Sequence, residues 1–327
     1  MKNKMLKPIF IGGTGRSGTS ILKRVLQQHS NIVNIPNELR IIIDPDGILD
    51  LVSSLTQRFS TNRADIAIVR FMNLISRCGK GNYLDKTASR LKHRINFWPL
   101  TGQNYRCILS FFGDEYVRDR TQNLLEELTY HQSKAELIHS TPYSFRSIVY
   151  ESGPFDKEEI YGLINDYIND LYCNLANSKT TCWVDDTPLN ILHANELAGL
   201  FKDMKLIHIY RDPRDVVASY YTKKWGGDQF ATVARRVAGI YHQWHQVKKG
   251  LPSQQLIEIS LEELSANPKP TLQKICDHIG LEFEEGLLDT KLDKSNSGRW
   301  KRDIPSEDLE SVLGHIEPFL NIYGTTM

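Results

Sequence analysis

At 327 residues the chain is long enough to bury a full core, as one large α/β domain or one domain with a substantial insertion. Its 40 basic and 39 acidic residues leave a formal charge of +1, which argues against nucleic acid or an anionic membrane surface as a partner. The cysteines (Cys78, Cys107, Cys173, Cys182, Cys276) are odd in number and form no C-x-x-C pair, which argues against a disulfide framework or structural zinc and suits a reducing compartment.

The basic start, Met1 to Lys7, leads into an apolar run too short for a signal peptide, and no segment reaches the ~18 apolar residues of a membrane span. The expectation is a cytoplasmic protein without a membrane span. That first run, Ile9 to Ile11, reads as a buried strand. It breaks on Gly12-Gly13-Thr14-Gly15-Arg16-Ser17-Gly18-Thr19-Ser20 and opens into an amphipathic helix with Ile21, Leu22, Val25 and Leu26 on one side. Strand, glycine-rich turn and helix start gather backbone N–H groups at the positive end of a helix dipole, which is a phosphate cradle. A Walker-type loop, G-x-x-x-x-G-K-[ST], places a lysine after its last glycine. Here Gly13 and Gly18 keep the glycine spacing, Thr19 stands in the lysine's place, and the cation is Arg16, inside the turn. The predicted binding residues are Gly13, Thr14, Gly15, Arg16, Ser17, Gly18, Thr19 and Ser20.

Ile32 to Ile35 reads as a second strand, with Pro36-Asn37-Glu38-Leu39-Arg40 at its carboxyl end, where ligands sit in open parallel sheets. The plainer reading makes Asn37 a helix cap and Glu38 a first-turn residue. Residues 46–78 are expected to be helical, with a second cap at Thr61 or Asn62. Residues 79–113 are basic and aromatic (Lys86, Arg90, Arg94, Phe97, Trp98, Tyr105) and read as a loop packing its aromatics more readily than as an acceptor pocket. Helices follow near 114–131 and 156–177. With no repeat and no low-complexity linker, 1–327 reads as one domain with a helical insertion at about 41–180.

The core resumes with a strand at Thr181–Val184, then a helix capped by Thr187 with Pro188 in its first turn, running to about Leu200. Lys205 to Tyr210 is the most strand-like run. It delivers Arg211-Asp212-Pro213-Arg214-Asp215, in which Asp212 as cap, Pro213 at the first helical position and Asp215 three residues on form a helix-start signature. Arg211 at the strand end and Ser219 two turns on can converge on one anion. A Walker B strand would end in a magnesium-holding aspartate; this one ends in an arginine, which argues against a kinase or NTPase. In the helix Ala231–Lys249, His242 and His245 have no nearby cysteine or carboxylate to complete a metal site. A last amphipathic helix spans Ser306–Tyr323.

The loop Gly12–Ser20 resembles the 5′-phosphosulfate loop of the sulfotransferases that use 3′-phosphoadenosine 5′-phosphosulfate (PAPS), in the arginine form shared by bacterial and Golgi-type, tyrosylprotein-sulfotransferase-like members. Arg211 with Ser219 resembles their 3′-phosphate site. Leu256 to Leu264 with Asn267-Pro268 resembles their penultimate strand and following helix, with Ser260-Leu261 where tyrosine and glutamate are more usual. Gly298-Arg299-Trp300-Lys301-Arg302 resembles the late basic loop that closes over the nucleotide. The resemblance reaches about residues 1–40 and 181–323 and leaves out the middle.

It implies an α/β, P-loop-like three-layer fold with a central, mostly parallel sheet. The implied reaction is in-line transfer of the sulfuryl group of PAPS to a hydroxyl or amine, leaving adenosine 3′,5′-bisphosphate (PAP), with no metal required. Arg211, Ser219, Arg299, Trp300 and Lys301 join the loop as nucleotide ligands. Glu38 falls on the family's catalytic glutamate and Arg40 on its nearby arginine, with Arg16 at the leaving phosphate; Asp185, Asp186 and His29 are the alternative bases. One departure stands out. Members often carry a lysine just before Thr187-Pro188, aimed at the bridging oxygen, where this chain has Asp186; Arg16 alone, Arg40 or Lys86 would have to replace it. The expected acceptor is a small molecule, a carbohydrate or a tyrosyl group, with a homodimer left open. The competing readings are a P-loop kinase and a catalytically degraded nucleotide-binding protein, the latter favoured only by Asp186.

Overall fold

The computed structural model describes residues 4–78, 108–133, 149–290, 292 and 297–324. The chain opens with β1 (Lys7–Gly12), α1 (Thr19–Leu26) and β2 (Ile32–Asn34). The helices α2 (Ile48–Leu55), α3 (Thr61–Cys78) and α4 (Asp114–Leu128), the hairpin strands β3 (His131–Ser133) and β4 (Val149–Glu151), and α5 (Lys157–Cys173) come next. The sheet elements resume with β5 (Cys182–Asp185), α6 (Ala194–Leu200), β6 (Lys205–Tyr210), α7 (Pro213–Thr222), α8 (Phe230–Val247) and β7 (Leu256–Ser260). They close with α9 (Leu261–Ala266), α10 (Pro268–Ile279), α11 (Trp300–Asp303) and α12 (Ser306–Tyr323).

These elements form two compact units, residues 6–34 with 178–327 and residues 1–5 with 35–177. The first holds a five-stranded parallel sheet in the order β2-β5-β1-β6-β7. Because successive side chains of a strand point to opposite faces, β1 feeds two cores at once. Ile9 and Ile11 pack with Leu22, Val25 and Leu26 of α1 and with Leu272, Ile275 and Ile279 of α10. Phe10 faces the other way, against Trp183 (ring centroids 5.3 Å apart) and Phe201 (5.6 Å). On that side α8 and α12 pack together, and Tyr241 stacks on Tyr323 at 4.6 Å. The result is the three-layer, P-loop-like α/β architecture, with every strand delivering its carboxyl end to the same edge.

The second unit is helical around a core that includes Ile68, Phe71, Ile164 and Ile168. The buried Tyr167 hydroxyl meets Thr121 at 2.9 Å, and Asp65 accepts the Tyr150 N–H at 3.0 Å, tying α3 to the hairpin. The basic, aromatic run through Lys86, Phe97 and Trp98 lies outside the described residues. No helix among the described residues is long and apolar enough to cross a membrane.

Two local expectations change. Thr187 does not cap a helix: its hydroxyl bonds back to Asp185 at 3.1 Å, and Pro188–His193 is a 3-10 turn before α6. Asp212 does cap α7, accepting the Arg214 N–H at 2.9 Å, but Asp215 is turned to another task.

Candidate active site

The loop after β1 is bent by three consecutive backbone features. Gly15 (φ 76°), Arg16 (φ 58°) and Gly18 (φ 108°) lie in the left-handed region, and the arginine there is held against its ordinary preference. Gly15 is required twice over: it needs that φ, and a Cβ on it would run into the Tyr220 hydroxyl. That hydroxyl donates to the Thr14 carbonyl at 2.7 Å, pinning the loop from α7. The Gly13 N–H donates to Pro188 O at 2.8 Å. The first helical bonds of α1 run from Ile21 and Leu22 to the Gly18 carbonyl, so the N–H groups of Gly18, Thr19 and Ser20 are the donors that a helix start offers to an outside acceptor. Ser17 is fully buried, and its Oγ has no partner among the described residues.

Arg16 is half-buried and reaches α7, its Nε donating to Ser219 Oγ at 3.0 Å. The exposed Trp225 ring lies 5.3 Å from its guanidinium. Burial pulls the Arg16 pKa below its ordinary value, Tyr220 opposes, and the Arg211 and Arg299 charges add to the fall. Three guanidiniums within electrostatic reach of one another, beside a helix start, make a place for a multiply charged anion.

Arg211 leaves the end of β6 and places Nη2 3.3 Å from Asp215 Oδ2. Asp215, wholly buried, also accepts the N–H groups of Gly298 (2.8 Å) and Trp300 (3.0 Å). One carboxylate thus joins the strand-end arginine to the late basic loop. Arg214 pairs with Asp212 through both ends of its fork, at 3.0 and 2.6 Å, and its guanidinium lies 4.4 Å from the Trp300 ring centre. Arg299 is steadied by Asp303 at 2.7 Å and Thr222 at 3.2 Å. The fold therefore brings together Arg16, Ser219, Arg211 and the loop carrying Arg299, Trp300 and Lys301, separated by up to 285 positions in sequence.

Glu38 and Arg40 belong to the other unit. Arg40 bonds Glu38 Oε2 at 3.3 Å and Asp44 at 2.8 Å, and both side chains of the first pair stay about 30 % exposed. The alternative bases are engaged elsewhere. His29 is buried with Nε2 2.8 Å from the Glu282 carbonyl and Nδ1 accepting the Asn31 N–H at 3.1 Å. Asp185 accepts from Asn190 at 2.8 Å and from Thr187. Asp186 is 2 % exposed and pairs with Lys23 at 2.7 Å. His245 meets the Tyr323 hydroxyl at 2.9 Å, and the described residues hold no group of three or more acidic, histidine or cysteine side chains placed to hold a metal ion.

Sequence reasoning missed Asp215, Tyr220 and Lys23. Asp215 reads locally as a helix-start residue, and its contact with Arg211 four residues earlier forms across the strand-to-helix turn.

Against known proteins, the model described as "Sulfotransferase family" matches residues 8–77 and 109–285. The chain belongs to the sulfotransferase family. That match extends through much of the middle region, beyond the reach of the motifs, and stops short of Arg299. Among solved structures, this sulfotransferase is similar to the sulfotransferase domain from the olefin synthase of Synechococcus PCC 7002, with a TM-score of 0.54 and 15% identity over 98% of this chain and 96% of that one. It is also similar to the sulfotransferase domain from the curacin biosynthetic pathway, with a TM-score of 0.51 and 15% identity over 97% and 98%. At such identity the likeness is one of fold. No curated protein matches the chain.

Proposed function

We propose that this sulfotransferase moves the sulfuryl group of PAPS to a hydroxyl or amine acceptor, with Glu38 as base. The observation that carries the reading is the meeting of two anion grips in one unit, the loop with Arg16 and the strand end with Arg211, bridged through Ser219. A donor with phosphates at both 5′ and 3′ positions needs two such grips; ATP needs one, with a lysine in the loop.

The residues fit the donor. The N–H groups around Gly18 to Ser20, the buried Ser17 hydroxyl and Arg16 would hold the 5′ group, while Arg211 and Ser219 would hold the 3′-phosphate, with Arg299 and Lys301 nearby in the late loop. Sulfuryl transfer asks the protein to position, to neutralise charge and to take one proton. Arg16 supplies charge at the leaving phosphate. Glu38 would take the acceptor's proton, with Arg40 orienting its carboxylate. The helical unit would shape the acceptor pocket for a small molecule, a carbohydrate or a tyrosyl group. A reducing, cytoplasmic setting suits Cys78, Cys173, Cys182 and Cys276, all free thiols.

Thermal shift tests the reading. PAP at ~100 times its dissociation constant should stabilise the protein by about 2.7 kcal/mol, with labelled sulfate passing from PAPS to a metabolite pool. A shift with ATP and magnesium, and none with PAP, would overturn it. PAP binding without transfer to any acceptor would favour the degraded, non-catalytic protein.

A further inference from the structure

Both β5 and β6 flank β1, and β5 ends at Asp185 with Asp186 the next residue. The register sets Asp185 opposite Phe10, so Asp186 emerges beside the start of the loop. Asp185 is spent on Thr187 and Asn190. Asp186 is not spent on its own turn. It lies 2.7 Å from Lys23 Nζ, with both side chains at most 5 % exposed, and it also takes a hydrogen bond from the Ser20 hydroxyl.

This triad has a recognisable geometry. Ser20 stands two residues after Gly18, the position whose hydroxyl holds magnesium in a Walker-type loop, where a strand-end aspartate is the ion's other protein anchor. Here both anchors are present and bonded to each other, and a cation carried in from the next turn of α1 already sits on the carboxylate. A carboxylate buried at 2 % beside an anion cradle would be costly without that cation. The same arrangement accounts for the departure at position 186: an anion stands where the resemblance expects a lysine, and the lysine arrives from α1.

We propose that Lys23 is a built-in cation of the phosphosulfate cradle, held by Asp186 in the place a divalent ion takes between loop hydroxyl and strand-end carboxylate. The inference rests on the PAPS reading. As the bond from sulfur to the 5′-phosphate oxygen breaks and the bond to the acceptor oxygen forms, the acceptor's proton passes to the base and the electron pair stays on the phosphate oxygen. Lys23 keeps its proton and offsets that charge. Asp186 is a positioning residue, and Lys23 answers the need otherwise left to Arg40 or Lys86.

Two measurements test it. The first needs no turnover: Mn2+ uptake followed by the EPR signal of free Mn2+, with and without PAP. Lys23→Ala should bind one Mn2+ beyond the wild type, and Lys23→Ala/Asp186→Ala should lose it. The second is kinetic. Lys23→Met/Asp186→Leu, an apolar pair that keeps the fold, should lose kcat by ~10²-fold, on the scale of removing one charge-stabilising donor, while KM for PAPS stays within a few-fold. Lys23→Met/Asp186→Lys should recover most of that loss. Wild-type kcat in the apolar pair, or no extra Mn2+ on Lys23→Ala, would overturn the proposal. If the wild type neither binds PAP nor transfers sulfate, the PAPS reading fails by itself, and the Mn2+ result still decides whether Lys23 fills a cation site.

Discussion

Arg16 Nε and Ser219 Oγ lie 3.0 Å apart, although 203 positions separate them in the chain. The contact links the loop after β1 to the helix after β6. Ser219 is 2 % exposed and Arg211 5 %; both are held in place before any ligand arrives, which limits the ordering cost of binding.

The first expectation follows from that link. Ser219→Ala removes a hydrogen bond to a charged group and should weaken PAP by about 1.5–3 kcal/mol, roughly ten- to a hundredfold. Arg211→Ala removes a buried charge and should cost more, about 2–5 kcal/mol. Calorimetric titration with PAP checks both, and equal, small losses would mean that the 3′-phosphate lies elsewhere.

Asp215 supplies the second. Itself fully buried, it accepts two backbone N–H groups and meets Arg211. Asp215→Ala strands these partners and should destabilise the protein by about 3 kcal/mol or more. Asp215→Asn keeps one acceptor oxygen and should fold, with faster hydrogen exchange at the Gly298 and Trp300 amides and weaker PAP binding. Unchanged exchange at those two amides would detach the late loop from this residue.

What was legible in the sequence is what is local. The strand–loop–helix of residues 9–26 and the cap at Asp212 follow from spacing within one or two turns. Asp215 and Lys23 were invisible for the opposite reason. The backbone N–H partners of Asp215 lie 83 and 85 positions away, and Asp186, which Lys23 pairs with, lies 163 away. Each residue taken alone looks like ordinary helix chemistry. Strand order, which sets β5 as well as β6 beside β1, is likewise not written in any one stretch.

Glu38 supplies the third. If it takes the acceptor's proton, Glu38→Gln should lower kcat by ~10²–10⁴-fold while PAP affinity stays within threefold. Arg40→Ala should lower kcat less, since it removes only the 3.3 Å contact that orients the carboxylate and leaves the carboxylate itself. Normal turnover in Glu38→Gln would remove Glu38 from the reaction.

Stability in acid gives the last. Glu258 takes hydrogen bonds from His208 (2.8 Å), Trp244 (3.2 Å) and Lys248 (3.1 Å). Burial alone would raise its pKa, but His208 and Lys248 overcome that and hold it at about 2, below its ordinary 4.5. Burial lowers the His208 pKa against the opposing pull of Glu258, and its Nε2 is enclosed without a partner among the described residues. A carboxylate whose folded pKa is depressed contributes stability that is fully present above its unfolded value and lost as pH falls through the folded one. The wild type should therefore lose about 2 kcal/mol from this group between pH 4.5 and 2, allowing for the part of the side chain that faces solvent. Glu258→Gln should be less stable at pH 7 and should lack that component. The difference in Tm between the two proteins, followed from pH 7 down to pH 2.5, should narrow only below about pH 4.5. A constant difference across that range would show that His208 and Lys248 do not hold the carboxylate down.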